Sequence, residues 1–356
     1  MDPPDSSLRP TGRSCPSATA GHATGRVLMG HGGGGLLTQE LIRRVFLQAF
    51  GQPSDGLADA AVLEPAAGRL AFTTDAFVVR PLFFPGGSIG ELAVNGTVND
   101  LAMVAAMPRY LAASFVIEEG LAIADLSRIA QGMAAAAAEA GVRIVAGDTK
   151  VVERGHGDGV YITTSGIGHV PPGISLSSRH VAAGDIVLVS GTIGDHGMAI
   201  MKVRENLGFE ADITSDTAAL HTLVADILRC CTATRLLRDP TRGGLATCLN
   251  EIADQARLGL EIDEQAVPVA ASVAAGCELL GLDVWQIANE GKLVAIVPAS
   301  HAEDVLQAMR DHPQGRQAAV VGQVVADHPG RVVTRTAIGG RRVVPMPVGE
   351  LLPRIC

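Results

Sequence analysis

Apolar positions along the chain alternate between helical and strand spacing. Leu36, Leu37, Leu41, Ile42, Val45, Phe46 and Phe50 share one helical face. The stretch 89–104 repeats that spacing through Leu92, Val94, Leu101 and Val104, and 123–140 predicts a further helix closed by Gly141. Short apolar runs at 61–63, 70–74, 110–116, 142–146 and 160–167 predict strands. After Pro171-Pro172-Gly173 the alternation resumes, with strands predicted over 185–190, 258–263, 292–298 and 317–325. Helices are predicted over 194–206, 216–229, 243–257 and 270–280.

The Pro-Pro-Gly punctuation predicts a boundary between domains at 27–170 and 171–342. Residues 343–356 contain Pro345, Pro347 and Pro353 and read as an extended, flexible tail. Residues 1–26, rich in Pro, Ser, Thr, Gly and Ala, read as a disordered extension. The two halves show no close sequence repeat.

Composition narrows the class. A length of 356 residues suits two domains, and with aromatics at only 3% the core must be built from Ala, Val, Ile and Leu. A formal charge of -9 argues against broad binding to nucleic acid or to an anionic membrane. No apolar run reaches the roughly 20 residues that span a bilayer, and the N-terminus lacks the apolar stretch of a secretory signal, so a cytoplasmic protein is expected. The six cysteines form no Cys-x-x-Cys pair, and Cys230, Cys248 and Cys277 read as small buried hydrophobes.

Candidate chemistry starts at the glycine loop 30–35, where Gly32, Gly33 and Gly34 precede a helix and can present N–H groups to an anion. It is no P-loop, because no Gly-Lys-Ser/Thr follows. Acidic residues recur where apolar runs stop: Asp75 after Thr73-Thr74, Asp100 after Asn99, Asp148 in Gly147-Asp148-Thr149-Lys150, and Asp59 in an Ala-rich stretch. Any one of them is explained by turn or cap chemistry. Four in one half, beside a glycine loop, suit Mg²⁺ bridging to phosphates.

The second half adds Ser190-Gly191-Thr192-Ile193-Gly194-Asp195-His196-Gly197, Asp239-Pro240-Thr241-Arg242-Gly243-Gly244 and Asn289-Glu290-Gly291-Lys292. Each stands at a turn beside an apolar element, and each is open to a structural as well as a ligand-facing reading. The chain ends Leu352-Pro353-Arg354-Ile355-Cys356. Cysteine in the last position rules out prenylation. A thiol on an extended arm can reach a cleft and carry an acyl-type group.

Together these motifs resemble the HypE family of hydrogenase maturation proteins over 27–356. The matching pieces are the glycine loop, Ser88-Ile89-Gly90, Asn99-Asp100, Pro108-Arg109-Tyr110-Leu111, Gly147-Asp148-Thr149-Lys150-Val151-Val152, Gly194-Asp195-His196-Gly197, Thr241-Arg242-Gly243-Gly244, Asn289-Glu290-Gly291-Lys292 and the terminal Pro353-Arg354-Ile355-Cys356. The glycine and Asp motifs belong to a wider ATP-using superfamily that includes aminoimidazole ribonucleotide synthetase, thiamine-monophosphate kinase and selenophosphate synthetase. The Pro-Arg-Ile-Cys ending points to the one family.

The resemblance implies an α/β (α+β) fold of two domains, like aminoimidazole ribonucleotide synthetase. It implies an N-terminal ATP-binding domain whose mixed β-sheet dimerises, a C-terminal α/β sandwich and a flexible tail. It implies a homodimer with ATP and Mg²⁺ in a cleft between subunits and domains. The implied reaction is ATP-dependent dehydration of a carbamoyl group on Cys356 to a thiocyanate, the source of the cyanide ligands of nickel–iron hydrogenases. The implied partners are the carbamoyltransferase HypF, which loads the sulfur, and the HypC–HypD complex, which receives cyanide.

By the same resemblance Cys356 carries the substrate and Lys150 and Glu290 serve the deprotonation steps. Gly32, Gly33, Gly34, Asp75, Asn99, Asp100, Asp148 and Thr149 face the nucleotide, and Asp59, Asp75, Asp100 and Asp148 serve the metal. The superfamily often pairs two Asp residues near 58–59, and here Ala58 takes the first place. Two other readings stay open: a kinase or synthetase acting on a free small molecule, and a non-enzymatic scaffold whose tail docks a partner or binds nickel or iron.

Overall fold

The computed structural model describes residues 25–33, 35–51, 63, 68–205, 212–336, 338–347, 352 and 354–356. Asp59, Gly34, Pro353, most of the strand expected at 61–63 and residues 1–24 of the expected extension lie outside the described residues. The first described residues are already tied down: Arg26 bridges to Ala122 and the Gly25 carbonyl accepts from Ile123 N at 2.8 Å.

In the first half, α1 runs as consecutive pieces Leu36–Leu41, Ile42–Phe46 (a π-helical turn) and Leu47–Phe50, and Gly51 follows at φ +86°. Then come β1 (Arg69–Phe77), the short hairpin β2 (Phe83–Phe84) and β3 (Gly87–Ser88), α2 (Ile89–Met103), β4 (Met107–Glu118), α3 (Ile123–Glu139), β5 (Arg143–Val152) and β6 (Val160–Val170). Ser88 caps α2 by accepting from Gly90 N.

β1, β6, β4 and β5 form a mixed sheet in that order, with only the β4–β5 pair parallel. Leu92, Val98, Ile129 and Met133 of α2 and α3 are buried in the core on one face, with Leu111, Phe115, Ile117 and Ile162 of the sheet. Along β1 the alternate positions Leu70 and Phe72 are 71% and 66% exposed, so the other face is left open.

Two strands run past their predicted ends. β5 pairs with β4 as far as Val152, and β1 pairs with β6 as far as Phe77, which places Asp148 and Asp75 within strands. Cross-strand pairing overrides the turn preference of Gly and Asp there.

The second half contains β7 (Ile186–Val189), α4 (Asp195–Arg204), α5 (His221–Cys230), β8 (Leu236–Arg238), α6 (Gly244–Ala256), β9 (Gly259–Asp263), α7 (Ala271–Leu280), β10 (Val294–Val297), α8 (Ala302–Asp311), β11 (Ala319–Val325), β12 (Val332–Arg335) and β13 (Arg341–Val344). Its seven strands order as β13-β12-β9-β11-β7-β10-β8. Val187 and Val189 join the cluster containing Leu245 and Leu249 of α6, while Leu188 joins the cluster containing Leu223 of α5 and Val305 of α8. The sheet is therefore sandwiched between helices, which explains its continuous apolar strands.

α5 starts at His221 instead of 216, because Asp216 binds the 290–291 backbone and holds that stretch extended. β8 and α8 escaped the hydrophobic pattern. So did the hairpin β12–β13, which takes Val343 and Val344 from the expected tail.

The halves meet at Asn99. Its side-chain amide donates to the carbonyls of Ala218 (3.0 Å) and Glu290 (3.3 Å), and its Oδ1 accepts from Leu220 N (2.8 Å).

Candidate active site

Carboxylates gather where the halves face each other. β1 supplies Asp75, α2 supplies Asp100, and the loop after β8 supplies Asp239. Asp75 Oδ1 accepts from Ala76 N at 2.8 Å and from Arg242 Nη2 at 3.4 Å, and Thr73 Oγ1 donates to Asp100 at 2.9 Å. Burial raises the pKa of Asp75. Burial and then the Asp75 charge raise that of Asp100, against the hydrogen bond from Thr73. Burial, then the charges of Asp100 and Asp75, push Asp239 up to about 7. Like charges held this close favour a cation or bound protons.

The cleft beside them is lined by Asp100, Arg238, Asp239, Thr241, Arg242 and Thr247, at the N-terminus of α6. A helix start, hydroxyls and arginines are donors for phosphate. Among the described residues no three His, Cys, Asp or Glu side chains group to hold a metal. The set fits an ion that takes one or two carboxylates and completes its shell with phosphate and water, as Mg²⁺ does, and not an all-protein cage.

The end of the chain lies in the adjoining cleft. The Ile355 side chain is 3% exposed in the first-half core, and Cys356 packs against the same cluster. The Ile355 carbonyl accepts from His196 Nε2 at 2.8 Å. The Arg354 carbonyl accepts from Arg204 Nη2 at 2.6 Å and Arg80 N at 3.2 Å, and the Arg354 guanidinium pairs with Asp158 at 2.6 Å. A carbonyl only accepts, so Nε2 of His196 carries the proton and Nδ1 accepts from Ser215 Oγ at 2.8 Å. Burial lowers the His196 pKa and favours this neutral ring.

The docked thiol and the Glu290 carboxyl are close enough for each to shift the other's pKa. Glu290 is 3% exposed, and its Oε1 is buried without a partner. Burial, then the charges of Asp216 and Asp239, hold Glu290 well above the usual carboxylate range. Burial, then the Glu290 charge, hold the Cys356 thiol well above the usual thiol range. Both shifts favour the uncharged forms of the thiol and the carboxyl while the tail is docked.

Glu290 is fixed by its neighbours. Asp216 accepts from Glu290 N (3.1 Å), Gly291 N (3.2 Å) and Lys292 Nζ (3.0 Å), and Lys292 also pairs with Asp195 at 3.5 Å. A Cβ on Gly291 would collide with the Asp216 carbonyl oxygen, so this turn requires glycine. Asn289 ties the turn to Gly194 N (2.7 Å) and the Pro240 carbonyl (2.8 Å).

Of the residues expected from sequence, Asp75, Asp100, Glu290 and Cys356 come together. Asn99 is buried and committed to backbone. Asp148, Thr149 and Lys150 lie on β5, three strand spacings or about 14 Å from β1. There Lys150 pairs with Asp148 at 3.7 Å, both exposed. Gly32 belongs to that second group, since a Cβ on it would meet Val151 N at 2.6 Å, and Gly33 follows it in the same turn. Asp239, Arg242 and His196 stood in motifs left open between a structural and a ligand-facing reading, with a phosphate as the ligand for Asp239 and Arg242. Asp216, in a plain Ser-Asp-Thr stretch, carried no signal.

Comparison with known proteins fits this geometry. Residues 57–170 match the N-terminal domain model of AIR synthase related proteins, and 182–335 match its C-terminal domain model. The chain is 55% identical over 333 residues to carbamoyl dehydratase HypE of Azotobacter vinelandii, covering 93% of this chain and 98% of that one. A crystal structure of hydrogenase maturation protein HypE in complex with ATP matches with TM-score 0.89 and 47% identity, over 92% of this chain and 99% of that one. A HypE–HypF complex matches with TM-score 0.76 and 45% identity, over 88% and 100%.

Proposed function

The chain belongs to the HypE family of carbamoyl dehydratases within the AIR synthase related proteins, and from that premise we propose that it dehydrates an S-carbamoyl group on its own Cys356 to a thiocyanate, using ATP. The observation that carries this is the docked tail. Cys356 lies on Glu290, next to a carboxylate- and arginine-lined cleft suited to phosphates.

The chemistry follows from the residues. A carboxamide oxygen is a poor leaving group until it is phosphorylated, and two N–H protons must then be removed. Glu290 is fixed by the Asp216 turn at the sulfur and accepts a proton once ionised. Its raised pKa makes the accepted proton well held. His196, Arg204 and Asp158 hold the last residues so that the substrate atoms stay beside Glu290. Asp75, Asp100 and Asp239 would hold Mg²⁺, which supplies charge neutralisation for phosphates when bound.

A half-buried thiol whose pKa is held up beside Glu290 is a poor nucleophile. Loading of the sulfur therefore belongs to a tail swung outward, toward a HypF-type carbamoyltransferase. Transfer of cyanide to iron on a HypC–HypD-type acceptor requires the same excursion. A homodimer through the open sheet face is supported by exposed Leu70 and Phe72 and by Lys150 on the far strand, away from Asp75 on β1 of its own chain. No described helix is long and apolar enough to cross a membrane, and a cytoplasmic site of action is part of the proposal.

Mass spectrometry of the tail tests it. Carbamoylated protein given MgATP should lose one water mass at Cys356, and Cys356→Ala should abolish the adduct while retaining nucleotide binding. ATP turnover that survives Cys356→Ala would instead mean a free small-molecule substrate.

A further inference from the structure

Two clefts meet in this molecule and share two residues. The phosphate-suited cleft and the cleft that ends on Cys356 are both lined by Arg242 and Thr247. Among the described residues, the neighbouring cations are already paired. Arg238 pairs with Glu251, Lys292 with Asp195 and Asp216, Arg204 with the carbonyls of Arg80 and Arg354, and Arg354 with Asp158. Arg242 differs. Its side chain is 66% exposed, and its ion pair to Asp75 is long at 3.4 Å. It immediately precedes the positive-φ Gly243 and Gly244 that open α6.

We propose that Arg242 is a catalytic residue that bridges the two clefts, binding the phosphoryl group as it passes from nucleotide to carbamoyl oxygen. The assignment rests on the dehydratase function proposed above and names a residue for its central step. In that step the carbamoyl oxygen forms a bond to the γ-phosphorus while the bond from that phosphorus to the β,γ-bridging oxygen breaks. ADP departs with the electron pair, and one N–H proton goes to the base. The C–O bond then breaks, phosphate leaves with its electron pair and takes up the second N–H proton, and S–C≡N remains. Negative charge sits on the same phosphoryl oxygens through both halves of the sequence. A planar guanidinium at the shared mouth can follow it with paired N–H donors, which an ammonium does less well. Swapping Asp75 for phosphoryl oxygen needs only a side-chain turn, because the existing pair is long and solvent-facing.

The test uses the full chain, S-carbamoylated with cyanate at mildly acidic pH, where thiols react ahead of amines. A glutamate-specific protease then releases the terminal peptide after Glu350 for mass analysis. Single-turnover loss of water at saturating MgATP is compared for wild type, Arg242→Ala, Arg242→Gln and Arg242→Lys, with ATP affinity measured separately. A rate loss of about 10²–10³-fold in Arg242→Ala is expected, with affinity within roughly threefold, partial recovery in Arg242→Lys and rescue of Arg242→Ala by millimolar guanidinium. Arg242→Gln, close in size, guards against a misfolded alanine variant and should show the same loss. Ala and Gln rates within about threefold of wild type, or a loss wholly confined to ATP affinity, would overturn the assignment. A wild-type tail that loses no water with MgATP would overturn the dehydratase function itself, and with it the role of Arg242.

Discussion

His196 Nε2 donates to the carbonyl oxygen of Ile355 at 2.8 Å, one residue before the chain ends. This bond is buried and is made by a neutral ring whose other nitrogen is satisfied by Ser215. Replacing His196 with Ala leaves a tail carbonyl buried and unpaired, at a cost of about 1–3 kcal/mol. The tail should then spend roughly ten times longer or more undocked. Alkylation of Cys356 by iodoacetamide, followed on the terminal peptide, should accelerate by that factor. An unchanged alkylation rate would mean that the bond does not hold the tail.

The same bond gives docking a pH dependence on the acid side. Burial depresses the His196 pKa in the docked state, while a solvated histidine titrates near about 6.5. A group whose pKa is depressed stabilises the docked state above its free pKa and loses that contribution as pH falls. Cys356 protection should therefore weaken as pH drops below about 6.5, and the His196→Asn variant should lose that dependence. Alkylation with a reagent calibrated for thiol ionisation, between pH 5 and 7.5, reads it out.

Glu290 sets a second limb. Burial and the charges of Asp216 and Asp239 hold its pKa well above the carboxylate range, so the ionised, proton-accepting form grows with rising pH. Single-turnover dehydration should climb with pH through a region well above pH 4.5. Glu290→Gln should cut the rate by about 10²–10⁴-fold and flatten that limb, with ATP affinity little changed. A profile already flat from pH 5 upward in the wild type would exclude Glu290 as the base.

The alternating halves were legible from hydrophobic spacing because the helices are amphipathic and the central strands are buried on both faces. α8, with Glu303, Asp304 and Gln307 among its ten residues, and the arginine-edged β13 were hidden because their outward sides are polar. In the site, Asp75, Asp100, Glu290 and Cys356 were legible as residue types at unusual places. What joins them was not. Asp216 lies 74 residues before Glu290 and Asp158 lies 196 before Arg354, and only the tertiary fold sets those pairs. Asp148 and Lys150 stood in a recognisable motif, yet a strand pairing no local pattern specifies carried them to the far edge of the sheet.

The buried ion group at Asp216 predicts a stability effect with a clear direction. Lys292 and Asp216 side chains are 11% and 4% exposed, and the burial that would raise the Asp216 pKa is outweighed by the Lys292 ammonium together with its other neighbours, among them the hydrogen bond from Glu290 N. Lys292→Met leaves two buried carboxylates uncompensated, and a loss of about 3–5 kcal/mol is expected. Urea unfolding checks it. The double variant Lys292→Met with Asp216→Asn should recover part of the loss, since removing both charges is milder than removing one. A double variant worse than the sum of the single ones would contradict this.

The open sheet face makes the last prediction. Leu70 and Phe72 protrude from it, and the register Ser114↔Asp148 and Val116↔Lys150 carries the face across to β5. Within one chain Lys150 is far from Asp75, so a second copy on this face is the route by which it would meet a carboxylate cluster. Light scattering should give a mass near twice the 36.7 kDa of the chain, and Phe72→Asp should shift it toward the single-chain mass, because an unpaired buried charge costs several kcal/mol. A mixture of Lys150→Ala and Cys356→Ala chains then separates the two arrangements. If Lys150 serves the partner's site, random two-fold pairing leaves one working site in half of the dimers, and about a quarter of wild-type dehydration returns although each variant alone is inactive. If Lys150 serves its own chain, the mixture stays inactive. A wild-type chain of single mass, or a Phe72→Asp chain that remains a dimer, would remove the sheet face from the assembly.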